Sequence, residues 1–481
     1  MNSLKTNVVY SSILTVSNYI FPLIVFPYVT RVLGVSNIGI CNFVDNVIDF
    51  FILFSMMGMN SVALREIVKH RDNKTELSKV FSGLFLLNLI STVTVIIVLF
   101  VLTSIVPEFQ QNKYLMYVGS GKVLFNFLTI EWLYRGLEDF KYITYRKIVV
   151  KILYVVLVFV FVKKSDDYLI YYALSVFVFA LNAIINLIYS RHFVSYSIRD
   201  IPIAPFIKPF FILGVYALLT SMYTSFNVVY LGFVSGENEV GYYTTATRLQ
   251  NVILALFTAF TGVMLPRMTA LIKEGKHDDV DRLFKKSMDI LIVFAFPLIS
   301  YFVVMAPQVI RILAGEGYEA AIPCMQLTMP LIFVIGLEQV IIIQLLLPLG
   351  KDKYVLIGSI LGAVGGVLSN VILVPLYQSI GSSFAWIVSE LFVLGSAYFF
   401  IKKSIDITID WRKILVKFLY SLIFALILLF TMKVTNFSLA FDTILSLVFF
   451  ALFYYILFFI ILKESVLIDF SQSMLKKVGL K

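Results

Sequence analysis

The residues of this chain that could do chemistry are polar groups set inside long apolar runs. Asn42, Asp45, Asn46 and Asp49 recur at i, i+3, i+4 and i+7, so all four share one face of a helix whose other faces are Phe, Val, Ile and Leu. Such a face either lines a water-filled cavity, where a carboxylate could take up a coupling ion, or packs on a neighbouring helix with its carboxylates paired. Thr244, Arg248, Asn251 and Thr258 make a second stripe. Arg248 has three readings there: it snorkels to the membrane surface, it pairs with Asp45 or Asp49, or it awaits an anionic substrate. Lys122, Asn126 and Thr129 share a third face, and Thr15, Asn18 and Pro22 a fourth, with Arg31 near its end. Pro22 and Pro27 predict a bent first helix. Glu338 and Glu390 are each either a coupling-ion site, for a proton or sodium, or a protonated packing residue.

Other chemistries lack their residues. The sequence has no phosphate-binding loop and no nucleophile-and-base constellation. Cys41 and Cys324 have no Cys or His close by, and His70, His192 and His277 fall in polar segments, so neither a zinc site nor an imidazole proton relay is expected. No enzymatic activity, cofactor or resident metal follows from this set.

The elements that must hold these groups are membrane helices. The chain has 481 residues, of which 60% are apolar and only 14% charged, with mean hydropathy +0.93. Charge in an ordinary soluble domain is nearer ~25%. Apolar runs long enough to cross a bilayer number about fourteen, at about 20 residues each. The first follows directly on Met1–Lys5 and is too long for a signal-peptide core, so it reads as a span. With the N-terminus inside, inner segments carry roughly five times as many Lys and Arg as outer ones, which puts both termini in the cytoplasm. The formal net charge of +10 is therefore mainly a topology signal, and no nucleic-acid partner is implied.

The chain also repeats itself. V-L-G-V-S-N-I-G-I at 32–40 and Y-L-G-F-V-S-G-E-N-E-V-G-Y at 230–242 both run from Leu-Gly through a polar turn to an apolar-Gly step. The helices that follow end in basic connections beginning near Arg65 and Arg267. An even number of spans per unit makes the repeats parallel. The expected architecture is an all-α polytopic membrane protein: a six-helix lobe at 1–205, a second at 206–403, and two further helices with a tail at 404–481. Gly358, Gly362, Gly365 and Gly366 predict a close helix–helix approach in the second lobe. Lys151 and Lys417 are expected to snorkel.

Four segments carry a family resemblance: F-P-Y-V-T-R-V-L-G from Phe26, E-W-L-Y-R-G-L-E-D-F-K-Y-I-T from Glu131, G-Y-Y-T-T-A-T-R-L-Q from Gly241, and L-P-R-M-T-A-L from Leu265. With about fourteen spans, they resemble the O-antigen (Wzx-type) polysaccharide flippases of the multidrug/oligosaccharidyl-lipid/polysaccharide exporter superfamily. The resemblance implies two six-helix lobes flanking a central cavity. It implies transfer of an oligosaccharide repeat on undecaprenyl pyrophosphate from the inner to the outer leaflet of the bacterial plasma membrane. It also implies alternating access coupled to a proton or sodium gradient, with a polysaccharide polymerase and other assembly proteins as partners. A cationic cavity would receive the pyrophosphate. The candidates by residue type are Arg248, Lys122 and Arg31, with Asn18, Asn126 and Asn251 for sugar hydroxyls; Asp45, Asp49, Glu338 and Glu390 are the candidates for ion coupling. A cation-coupled multidrug antiporter is the alternative that the acidic stripe keeps open. An oligosaccharide polymerase would need a large extramembrane loop, and none is present.

Overall fold

The computed structural model describes residues 4–196, 201–405, 409–434 and 439–454, and it is helical almost throughout. Helices are what the composition demands, because a backbone in hydrocarbon must satisfy its own N–H and C=O groups. Among the described residues, eight helical stretches are long and apolar enough to cross a bilayer, and three shorter apolar helices accompany them. The C-terminal basic tail and the end of the last expected span lie outside the described residues.

The helices pack as two compact units. The first comprises the described residues up to Thr244, with Leu313–Gly317 and Val374–Ser379. It holds α1 (Leu4–Met56), α2 (Met59–His70), α3 (Lys74–Ile105), α4 (Pro107–Gln111), α5 (Lys113–Leu128), α6 (Glu131–Gly136), α7 (Phe140–Phe161), α8 (Tyr168–Ser190) and α9 (Ala204–Ser235). The second comprises Thr245–Ile312, Tyr318–Leu373 and the described residues from Ile380 onward. Into it run α10 (Glu237–Lys273), α11 (His277–Val304), α12 (Ala306–Ala314), α13 (Ala321–Thr328), α14 (Leu331–Ile341), α15 (Asp352–Ser404), α16 (Trp411–Val434) and α17 (Leu439–Tyr454).

The repeated turns are built alike. α1 consists of two arms meeting at Gly34, with φ 77° and ψ 174°. The chain between α9 and α10 turns at Gly236, with φ 83° and ψ −179°. A side chain is strongly disfavoured in that conformation. A little over one helical turn later, Gly39 and Gly241 meet the opposite turn. A Cβ on Gly39 would lie 1.8 Å from the Glu237 carbonyl oxygen, and one on Gly241 2.7 Å from the Val35 oxygen. The contact is reciprocal, and one constant separation relates Val35 to Glu237, Gly34 to Gly236, Gly39 to Gly241 and Arg65 to Arg267. This corrects the register read from sequence, which paired Gly34 with Gly232. Gly232 instead makes room for an aromatic ring, since a Cβ there would meet Phe43 at 2.1 Å.

The fourth expected span, 114–134, is broken. α5 ends at Leu128, Ile130 adopts φ 40° and ψ 35°, and α6 starts in a new direction. The break is stabilised from α8, where the Asn186 amide donates to the Thr129 carbonyl. Tyr134 of α6 then donates to the Asn186 carbonyl at 2.5 Å. A carbonyl freed by an interrupted helix is thus paired inside the protein, as non-helical backbone at membrane depth requires. In the second unit, the glycine-rich arm of α15 lies close on its other arm. Gly358, Gly362 and Gly366 face Ser396, Val393 and Ser389, and the Ser389 hydroxyl donates to the Gly362 carbonyl at 2.8 Å.

Candidate functional site

The break after α5 opens one wall of a cavity of about 730 Å³ in the first unit. Its polar lining comes from five places: Asp49 on α1, Asn60 and Ser61 on α2, Asn126 and Thr129 at the end of α5, Glu131 and Arg135 on α6, and Lys147 on α7. Glu131 and Arg135 are one helical turn apart, the spacing at which a carboxylate meets a following cation. The Glu131 carboxylate accepts from Arg135 Nη2 at 2.8 Å and from Arg135 Nε at 3.1 Å. Its other oxygen lies 2.6 Å from Lys147 Nζ and 3.9 Å from Arg146 Nη2. Arg146 is buried behind this wall, where its Nη1 donates to the Asn186 side-chain oxygen. The Tyr142 hydroxyl donates to the same oxygen at 2.9 Å. The Nε and Nη2 of Arg146 have no hydrogen-bond partner among the described residues. One carboxylate therefore serves three cations.

Deeper along α1 the acidic stripe divides. Asp45 forms an ion pair with Lys122, whose ammonium is buried 4.7 Å from the Tyr172 ring centroid and 5.8 Å from that of Phe179. The Tyr172 hydroxyl reaches Asp45 Oδ1 at 3.5 Å. Asn42 donates to the Thr244 hydroxyl at 2.9 Å, and Asn46 to the Asn42 carbonyl at 2.9 Å. Asp49, at the end of the stripe, faces the cavity together with Asn126. The structure thus seats Lys122 and Asp45 on each other and leaves Asp49 and Asn126 in the lining.

The remaining sequence candidates are spread out. Asn18 accepts from Lys151, so Lys151 has a partner rather than merely reaching for the surface. Arg31 is exposed, donates to the Pro27 carbonyl at 2.5 Å and runs beside Gly315.

In the second unit, Arg248 is half-buried and Asn251 exposed on α10. Thr258 exchanges hydrogen bonds with the Gln339 amide at 3.0 and 3.3 Å. Beside Gln339, Glu338 is buried, and so is Glu390. Trp386 Nε1 donates to Glu390 Oε1 at 2.8 Å, and Glu338 Oε2 has no partner among the described residues. The π-helical turn Ile342–Leu346 follows directly after this stretch of α14, an irregularity often found beside functional sites.

Sequence alone assigns no role to Glu131, Arg135 or Lys147. Their charges count there only toward loop topology, although Glu131 and Arg135 stand four apart inside one of the most specific matching segments. That spacing is the signal by which they could have been found.

Comparison with solved structures defines the class. A lipid II flippase MurJ in an inward closed conformation superposes with a TM-score of 0.74 at 16% identity, over 93% of this chain and 98% of that one. An inward-facing multidrug resistance MATE family transporter of the MOP superfamily superposes with a TM-score of 0.64 at 16% identity, over 87% and 96%. The fold is the one these two structures share. The family described as polysaccharide biosynthesis protein matches residues 4–272, more than half of the chain, and the chain belongs to it. Two relatives bear the name "Putative O-antigen transporter". The one from Escherichia coli (strain K12) is 27% identical over 410 residues, 84% of this chain and 97% of the relative. The one from Shigella dysenteriae is 24% identical over 403 residues, 81% of this chain and 98% of the relative.

Proposed function

We propose that this protein is a flippase for lipid-linked oligosaccharide. It carries a glycan repeat on undecaprenyl pyrophosphate from the cytoplasmic to the outer leaflet of the bacterial inner membrane, for O-antigen or related surface polysaccharide. The observation that carries the reading is the first-unit cavity, whose lining combines cations with amides and hydroxyls. Cations suit a diphosphate, and amides with hydroxyls suit sugars. A bilayer strongly opposes passage of either, so a polar route has to supply both sets of partners. The names of the relatives and the MurJ-like fold support the same reading.

Transport proceeds by alternating access and is driven by a proton or sodium gradient, with the Glu338–Glu390 pair as the coupling site. Both termini lie in the cytoplasm, where the basic segments concentrate. A polymerase acting on the delivered repeat is the natural partner. The ion pair at Asp45 takes one of the stripe's two carboxylates from the set that a cationic-drug antiporter could use.

The test is reconstitution in liposomes with lipid-linked oligosaccharide, following the access of a glycan-modifying enzyme to its sugars. Protein-dependent access that accelerates under an ion gradient is the expected result. Absence of glycan movement in vesicles that pump a cationic dye would replace this reading with the antiporter.

A further inference from the structure

We propose that the seat between Arg135 and Lys147 is a binding site for a diphosphate ester, and that Glu131 occupies it as an exchangeable counter-ion. On arrival the ligand's diphosphate displaces the Glu131 carboxylate from both cations. This rests on the reading of the chain as a carrier of a diphosphate-linked lipid.

The argument begins with the charge balance. Arg135, Arg146 and Lys147 all converge on Glu131, and among the described residues no other carboxylate pairs with any of them. The cavity lining holds Arg135 and Lys147 against Glu131 and Asp49, and Arg146, buried behind Glu131, is a third cation against these two anions. Cations held close together out of water are costly unless fully paired. The imbalance is felt most at Arg146, whose side chain is 3% exposed and whose Nε and Nη2 lack hydrogen-bond partners among the described residues. A carboxylate brings one charge and two oxygens. A diphosphate brings more of both, and can accept from an arginine fork and an ammonium together.

Mobility is distributed as an exchange requires. Arg146 is held by the Asn186 side-chain oxygen and lies 5.5 Å from the Tyr142 ring centroid. Arg135 is 55% exposed and Lys147 25%, so both can turn from the carboxylate to a ligand in the cavity. The cavity, about 730 Å³, has room for a diphosphate and its first sugars, with Asn60, Ser61 and Asn126 beside them. Glu131 then plays two parts. It keeps the cations neutralised and positioned when the site is empty, and it competes the ligand off at the end of a cycle.

The experiment uses the full-length protein in lipid nanodiscs, with inorganic pyrophosphate and farnesyl diphosphate as probes in titration calorimetry. Arg135→Ala and Lys147→Ala weaken the binding of both probes. Glu131→Gln removes the competitor and tightens it by about tenfold, the factor that corresponds to one ordinary charge interaction. In liposomes, the same Glu131→Gln variant translocates lipid-linked oligosaccharide more slowly than wild type, because release is impaired. Tighter binding with slower transport is a split that a purely structural carboxylate would not produce. Glu131→Asp, one methylene shorter, shifts binding in the same direction by less, and decides the matter if Glu131→Gln does not fold. Binding that is unchanged or weaker in a folded Glu131 variant overturns the proposal. So does a wild-type protein that binds neither probe yet translocates lipid-linked oligosaccharide, a result that leaves the flippase reading intact. Probe binding that responds to Glu131 as described, in a protein that moves no glycan, supports the site and overturns the flippase reading instead.

Discussion

The two sequence repeats share a backbone device, and both of its turns lie in the first unit, while the two units handle charge in opposite ways. At the separation that relates Gly34 to Gly236, Asn46 corresponds to Arg248, Asp49 to Asn251 and Asn42 to Thr244. The same helical face is acidic in one repeat and basic in the other. Buried charge differs as well. In the first unit it comes in opposite signs, Asp45 with Lys122 and Glu131 with three cations. In the second it includes two buried carboxyls, Glu338 and Glu390. An assembly of opposite charges is largely compensated when empty and can exchange one anion for another. A pair of like carboxyls is neutral only through a bound proton or cation. Under the function proposed above, the contrast goes with anion handling in the first unit and the coupling ion in the second.

The most severe way to break this contrast is to strip a first-unit cation of its partner. Lys122 is buried against Tyr172 and Phe179, and among the described residues Asp45 is the carboxylate that pairs with it. Asp45→Ala should cost about 3–5 kcal/mol, the usual penalty for stranding a buried charge. The double change Asp45→Ala with Lys122→Met should recover most of that, as read by thermal unfolding of the purified protein. If the single and double variants melt alike, the pair is not an energetic unit and the electroneutral picture of this unit fails.

The shared backbone device offers the next test. Gly34→Ala and Gly236→Ala each place a Cβ at a backbone angle that favours glycine, and each should cost about 1–3 kcal/mol. Similar losses at the two turns would support equivalent repeats. A loss at one turn alone would show that the matched angles are not matched in energy.

How much of this is legible in the sequence follows from what each feature depends on. The helical membrane class depends on composition, and the paired turns on glycines at fixed spacing, so both can be read. The register of the repeat cannot, because Leu-Gly recurs at 33–34 and 231–232 while the second turn is made at Gly236. The acidic stripe is visible as a stripe, but its partner Lys122 comes from a helix remote in sequence, and periodicity carries no information about which helices meet. The cluster at Glu131 is hidden for a different reason. It forms where α5 breaks at Ile130, and that break depends on Asn186 of α8 reaching the Thr129 carbonyl. Local sequence reads as an uninterrupted span there.

Two variants in the second unit address transport without disturbing the first. Arg248→Ala should lower glycan export by about tenfold at normal protein level, equivalent to one charge interaction, and Arg248→Lys should be milder. Export at the wild-type rate would remove Arg248 from the pathway and leave anion handling to the first unit alone.

The finest test separates coupling from transport. Glu338→Gln keeps the size and hydrogen-bonding capacity of the side chain but can neither bind nor release a proton. It should therefore change the pH or sodium dependence of translocation while leaving downhill exchange within a few-fold of wild type, a loss of less than about 1 kcal/mol in rate. Asp45→Asn is the control from the other unit. It discards a charge that Lys122 already neutralises, so its expected signature is lost stability with ion dependence unaltered. The two substitutions are chemically the same change, a carboxylate to its amide, made in two electrostatic settings. If ion dependence moves in Asp45→Asn and not in Glu338→Gln, the assignment of the coupling ion to the second unit is reversed. The lone oxygen Glu338 Oε2 would then be a packing defect rather than a vacant ligand.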